Sequence, residues 1–281
     1  MSREVVFIAD FFLSDIIGGG EIHNEELISI LQAEFGRTVK KAYSHNVNIN
    51  FLRKHKNSQF IVGNFLGLST TARNFMQGMD YIIYEHDHKY LKSRNPATYP
   101  DFRAPATEII NYEFYKAARA IFCQSGFHKE IVEDNLSLPN IKNSSGNLWP
   151  TKILALISSL SEKNKQDRTS IMSSPIKHKN TIDAIRYCEA NKYAYDLIPQ
   201  LAYGEFLQNM SNNQRFVFFP KTPETLSRIV VEARMMNISV VTNSLVGATK
   251  EPWYKFKGEE LIGHICEMRT RIPKQVSEVL D

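Results

Sequence analysis

Two carboxylates eight positions apart, Glu224 and Glu232, stand in the stretch Phe218-Phe219-Pro220-Lys221-Thr222-Pro223-Glu224-Thr225-Leu226-Ser227-Arg228-Ile229-Val230-Val231-Glu232-Ala233. An apolar strand enters a proline-bounded turn there, and Pro223 followed by Glu224 reads as the opening of a helix. On such a helix this spacing is a little over two turns. Both carboxylates then project from roughly the same face and can hold two parts of one elongated ligand. Leu226, Ile229, Val230 and Ala233 supply the apolar face that packs the helix down. Places where a strand's carboxyl end meets a helix start take anionic or hydroxyl-rich ligands. The plainer alternative is two solvated surface acids, and a carboxylate of either kind is expected to be dispensable for folding.

Three further groups carry chemistry. Glu85-His86-Asp87-His88 follows the strand-like run Tyr81-Ile82-Ile83-Tyr84. A His-x-His metal pair is one reading, but consecutive strand positions face alternately and no third ligand is obvious. A polar tether for the next segment is another. Gly18-Gly19-Gly20-Glu21 stands between the run Val5–Ala9 and a helical pattern through Leu27, Ile30 and Leu31. Glycines at a helix start let backbone N–H groups approach a phosphate or sugar; a plain flexible turn fits as well. The proline-rich segment from Lys89 to Pro105 holds Lys92, Arg94, Tyr99 and Arg103, a loop suited either to binding an acceptor or to covering a sheet edge.

The run from Pro223 to Asn243 resembles the donor-site segment of the retaining, sugar-nucleotide-dependent GT-B glycosyltransferases, in which two glutamates separated by seven residues precede an alanine-containing turn and a Val-Val strand. The resemblance implies that Glu224, with Thr225 and Leu226 beside it, contacts the donor sugar, and that Glu232 holds the ribose hydroxyls. It also implies a sugar-site histidine at a strand exit, for which His86 is favoured, so that His86 and Glu224 form the catalytic centre. Gly19 and Gly20 would face the diphosphate. Ile121–Ser125 followed by Phe127-His128-Lys129-Glu130 resembles the last unit of the family's first domain. In Ser174-Pro175-Ile176-Lys177-His178-Lys179-Asn180, Lys179 matches the family's diphosphate-gripping lysine. Ser174 stands where the family has arginine and Asn180 where it has glycine, leaving Lys177 as the substitute cation. Gly is also usual where Asn237 stands, and Asn tolerates a left-handed helix end.

The 281 residues, 43% hydrophobic and 23% charged, suit a globular α/β protein of two ordinary domains. A net charge of +4 suits polyanionic partners without choosing among nucleotide phosphates, anionic lipid and nucleic acid. Cys123, Cys188 and Cys266 are odd in number and outside any C-x-x-C spacing, against a disulfide framework or structural zinc and in favour of a reducing, cytoplasmic setting. No apolar run approaches the roughly 18 residues needed to cross a bilayer, leaving at most peripheral membrane contact.

Strands alternating with helices predict two facing Rossmann-like domains, a short GT-B arrangement: residues 1–150 binding the acceptor and 151–281 binding the donor, with a linker near 150–168 and the amphipathic tail helix free to pack back on the first domain. The implied function is transfer of a sugar from a nucleotide diphosphate sugar to a hydroxyl acceptor, with retention and without a metal or other cofactor. A glycan or glycolipid acceptor is favoured, bound by Lys92, Arg94, Tyr99 and Arg103. The alternatives are a degenerate nucleotide- or glycan-binding protein, motivated by Ser174, a transferase acting on modified DNA bases, and a metal-dependent hydrolase at Glu85, His86 and His88.

Overall fold

Continuous apolar runs form the centre of the first of two sheets, because a parallel strand covered on both faces by helices has no solvent side. The computed structural model describes residues 3–281. Two units emerge: one runs to Leu148 and resumes from Met268 to Asp281, and the other is Trp149–Glu267.

In chain order the first unit contains β1 (Val5–Ala9), α1 (Gly19–Ala33), β2 (Val39–Tyr43), α2 (Ile49–Lys54), β3 (Gln59–Val62), α3 (Thr70–Met76), β4 (Tyr81–Tyr84), α4 (Tyr112–Ala117), β5 (Ile121–Cys123), α5 (Gly126–Leu136) and β6 (Ile141–Asn143). Its strands are parallel in the order β2-β1-β3-β4-β5-β6. All five residues of β1 are inaccessible to solvent, and Val5–Ile8 pair with β2 on one side and β3 on the other. The switch from β2 on one side to β3 on the other makes the β1/β3 boundary the point where an open sheet of this kind leaves a crevice at its carboxyl edge.

The second unit contains α6 (Thr151–Ser161), β7 (Gln166–Met172), α7 (Thr181–Ala190), β8 (Tyr195–Ile198), α8 (Tyr203–Met210), β9 (Asn213–Phe218), α9 (Arg228–Met235) and β10 (Ser239–Thr242). The sheet order is β10-β9-β7-β8, all parallel, so the equivalent switch falls between β7 and β9. The linker expected near 150–168 is not one. Thr151–Ser161 is helical with Leu154, Ile157 and Leu160 buried, and Gln166-Asp167-Arg168 opens the central strand β7. That polar strand end is held by charge: Arg168 bonds Asp196 on β8, and Arg215 on β9 reaches Asp167 at 2.6 Å.

The tail is one helix, α10 (Gly258–Leu280), whose end belongs to the first unit. There Ile272, Val276 and Leu280 are buried, Arg269 pairs with Glu26 at 2.6 Å, and Arg37 donates to Ser277 Oγ at 2.9 Å. No described helix is long and apolar enough to cross a membrane.

Ile272→Ala removes a fully buried side chain from this seam. A loss of about 2–5 kcal/mol in unfolding free energy is expected, read by urea denaturation; a change within about 0.5 kcal/mol would mean the tail contributes nothing to the first unit's core.

Candidate functional site

The loops leaving β7 and β9 meet in the second unit. The Lys221 N–H donates to the His178 carbonyl at 2.8 Å, and Asn180 Nδ2 donates to the Phe219 carbonyl at the same distance. Asn180, standing where the resembled family has glycine, adopts φ +58°, a left-handed conformation that asparagine tolerates. Lys179 follows into place, and its ammonium lies 2.7 Å from Glu224 Oε1 and 5.8 Å from the centre of the Phe218 ring. The structure therefore brings together two residues that the sequence separates by 45 positions. Both are partly open, with side-chain exposures of 27% and 15%, so the pair can exchange partners with a ligand.

Glu224 is not on a helix. It pairs as a short parallel bridge with Val246, its N–H bonding the Leu245 carbonyl and its own carbonyl accepting from Gly247 N–H. The helix α9 begins only at Arg228, after Ser227 at φ +71°. The helix expected from Pro223, and with it the shared face of Glu224 and Glu232, is thereby corrected: prolines 220 and 223 favour an extended, turn-rich entry, and the strand exit of β10 supplies hydrogen bonds that a helix would forfeit. Leu226 is fully buried, so it offers a ligand no side chain. Thr225 lies between these two in the same extended loop. Lys177 is exposed on the loop from β7, and Ser174 accepts a hydrogen bond from Ile176 N–H.

Glu232 is 3% exposed, and its Oε1 accepts from Trp149 Nε1 at 2.9 Å and from the Tyr203 hydroxyl at 2.5 Å. Arg228 lies 3.6 Å from the same oxygen and stacks over the Trp149 ring at 4.3 Å. Burial, reinforced by the Glu232 charge, pushes the Tyr203 hydroxyl above its ordinary range. The two donors, Trp149 and Tyr203, were not legible as site residues, since they come from segments outside the motif. They make Glu232 part of the unit's interior, which corrects the expectation that folding is indifferent to it.

In the first unit, His86 leaves β4 with both ring nitrogens engaged: Nε2 is 2.7 Å from Asn24 Oδ1 and Nδ1 is 2.6 Å from Gln124 Nε2. These partners fit the neutral ring with its proton on Nε2. Burial, aided by His23 and Lys89, holds its pKa well below the ordinary histidine value. A Cβ on Gly20 would sit 3.4 Å from the His86 ring, in ordinary contact with it, so the start of α1 lies against His86. Gly19 is the first residue of that helix. The first turn already carries an acid, Glu21, whose Oε2 would be 2.2 Å from a Cβ on Gly18. Burial, with nearby Asp10, raises the Glu21 pKa.

The neighbours of His86 are committed to one another. Glu85 pairs with Lys89 at 2.5 Å and accepts from Tyr115; Lys89 also reaches Asp87 at 2.8 Å, and Asp87 pairs with Arg94. Burial alone would lower the Lys89 pKa, but Asp87 and Glu85 outweigh it and raise it. His88 faces Tyr90 at 3.0 Å. Glu85, His86 and His88 thus point to separate partners, and among the described residues no group of three such side chains could hold a metal. The residues expected to bind an acceptor are paired with neighbours at the surface: Lys92 with Glu108 at 3.5 Å, Tyr99 donating to Glu108 at 3.4 Å, Arg94 with Asp87, and Arg103 with Asp134 at 2.9 Å.

The two parallel sheets are those of the GT-B glycosyltransferase fold. No protein-family model matches the sequence, and no curated protein does. Solved structures do. Anabaena Alr3699/HepE in complex with UDP and glucose is similar at a TM-score of 0.58 and 12% identity, over 99% of this chain and 92% of that one. An alpha-glucosyltransferase in complex with UDP and a 13-mer DNA containing an HMU base gives 0.50 and 13%, over 100% and 95%. The lipopolysaccharide outer core galactosyltransferase WaaB in its apo form gives 0.51 and 12%, over 99% and 92%. Identities this low establish the fold.

Two outcomes test this geometry. Glu232→Ala leaves the Trp149 N–H and the Tyr203 hydroxyl without their acceptor and should cost about 1–3 kcal/mol of stability, with Glu232→Gln costing less; equal melting of both variants and the parent would refute the buried assignment. The second concerns acid. Burial of His88 lowers its pKa to about 4, and His86 and His128 shift the same way. Between the ordinary value of 6.5 and about 4 the unfolded chain binds a proton at His88 that the folded chain does not. Stability should therefore fall as pH drops through this window, by up to about 1.4 kcal/mol per pH unit for each histidine. Urea titrations at pH 7, 6 and 5 read the slope, and His88→Phe should reduce it.

Proposed function

We propose that this protein is a glycosyltransferase that moves a sugar from a uridine diphosphate sugar to a hydroxyl acceptor with retained anomeric configuration, the donor binding in the second unit. The observation that carries the reading is the partly open Lys179–Glu224 pair at the β7/β9 switch. An arriving diphosphate needs cations at that place, and Lys179 can turn from Glu224 to a phosphate, with exposed Lys177 as the second cation. Glu224, released from the ammonium, keeps a carboxylate for the hydroxyls of the sugar. UDP is favoured as the nucleotide because neighbours of this fold hold it. A carboxylate accepts up to four hydrogen bonds, so ribose hydroxyls would add to the donors already on Glu232. In the first unit, the Gly19–Gly20 helix start and His86 form the corresponding edge, where the hydroxyl acceptor is taken up. His86, neutral and with both ring nitrogens engaged, would bond the sugar only by giving up Asn24 or Gln124, and would not act as a base.

The loop cations do not choose the acceptor. Lys92, Arg94 and Arg103 are each paired with an acid, but these pairs are more exposed than Lys179–Glu224 and break as readily for a stronger counter-charge.

UDP titration and turnover with a panel of UDP-sugars test the reading. The parent should bind UDP and release it from at least one donor. Lys179→Ala should weaken UDP binding about tenfold, the worth of one charge-assisted contact, whereas Glu224→Gln should lower turnover more than UDP affinity. UDP binding without turnover for any donor would make the protein a nucleotide-binding relative that has lost transfer, the outcome Ser174 invites. No UDP binding at all would end the reading.

A further inference from the structure

The first unit has an open cavity of about 450 Å³ at the exits of β1, β2 and β3, within the size range of small-molecule sites. It lies where the strand order switches between β1 and β3, the crevice position of an open parallel sheet. None of the residues singled out from the sequence lines it.

Most of its polar groups are tied to one another, with the exposed Asp15 and His45 at its margin. Asp10 accepts from the Ser44 hydroxyl and from the N–H groups of Leu66 at 3.0 Å and Gly67 at 2.9 Å. Asp15 accepts from Phe12 N–H at 2.8 Å and from the Tyr43 hydroxyl at 3.1 Å. These bonds tie the three loops together, and a Cβ on Gly67 would lie 2.5 Å from Ser44 Oγ, so the floor closes only with glycine there. What the walls offer a ligand is apolar and flat. Phe11 is 49% exposed and Leu66 55% exposed, and the Tyr43 ring lies 5.6 Å from that of His45.

We infer that this cavity binds the apolar ring of a hydroxylated acceptor. Walls that are mostly apolar select a planar or apolar ring, which loses little by leaving water, and the exposed Asp15 and His45 leave partners for its hydroxyl. A glycan would find few partners for its hydroxyls and would lose those it makes with water. The cavity is bounded by three tied loops, so it suits a ring more than an extended chain. The word acceptor rests on the glycosyltransferase reading; the binding of a ring does not.

The test titrates hydroxylated arenes, with 4-methylumbelliferone, benzyl alcohol and indole-3-carbinol as probes, against the full chain by intrinsic or ligand fluorescence. Maltose and phosphatidylglycerol vesicles serve as the competing chemistries. Saturable binding of at least one arene is expected, weakened tenfold or more in both Phe11→Ser and Leu66→Asp, with melting temperature and UDP affinity unchanged. Both substituted side chains are half exposed, and retained melting excludes misfolding. Absence of saturable binding for every arene, equal binding in both variants, or a loss in the variants confined to maltose or to vesicles would overturn the inference. Ring binding without UDP binding would leave the cavity standing and remove the donor reading; UDP binding and turnover without ring binding would do the reverse.

Discussion

A parallel strand cannot turn straight back to its neighbour, so every connection crosses the sheet on a helix and all carboxyl ends share one edge. Where the order reverses, adjacent loops part in opposite directions and leave a gap that the sheet itself does not fill. Both sheets reverse next to their first strand, β1 in one unit and β7 in the other. Each gap is then closed at its base by contacts between loops that are distant in sequence: Gly67 against Ser44 in the first unit, Lys221 N–H to His178 carbonyl in the second. The side chains above these closures are the ones the fold leaves available, which is why Phe11 and Leu66 stand open in one and Lys179 and Glu224 in the other.

Charge is distributed between two regimes. The Glu85–Lys89 pair is wholly shielded from solvent and further bonded to Asp87 and Tyr115, so removing Glu85 or Lys89 costs its partner a buried counter-charge. It fixes the exit of β4 and with it the position of His86. Lys179–Glu224 has similar length but retains contact with water, and an exposed pair of this kind contributes at most about 1 kcal/mol. A ligand that offers either partner a better counter-charge can therefore break it at little cost. The same interaction serves structure where it is sealed and recognition where it is open.

Legibility in the sequence followed the source of each element's stability. Val5–Ala9 and Tyr81–Tyr84 bury apolar side chains and announced themselves, as did the half-buried Val240-Val241. The strand β2, Val-Lys-Lys-Ala-Tyr, lies at the sheet edge with both lysines in solvent and carried no such signal. The strand β7 opens with Gln-Asp-Arg because its end is held by Arg168–Asp196 and Arg215–Asp167, bonds whose partners lie tens of residues away. Of the site, Lys179 and Glu224 were legible through their motif. Trp149 and Tyr203 were not, because only folding brings them onto Glu232. The apolar cavity was silent for the same reason: Phe11, Tyr43 and Leu66 come from three loops with no shared pattern.

The departures from the resembled motif fall into two physical kinds. Asn180 and Asn237 replace glycines and both take left-handed backbone conformations, at φ +58° and +60°. Asn237 closes α9 with Ile238 N–H on the Ala233 carbonyl and its own N–H on that of Arg234, the six-to-one and five-to-two bonds of a helix-ending motif. Their backbone paths are thus those a glycine would have taken. Ser174 is different, because a hydroxyl turned to Ile176 N–H replaces neither the charge nor the forked donors of arginine. Any grip on a diphosphate in the second unit must then come from point charges, Lys179 held in place and Lys177 free in solvent. Ammonium groups attract phosphate without fixing its orientation, so the precision of such a site would pass to the backbone of the Glu224 loop, which its bonds to Leu245 and Gly247 hold rigidly.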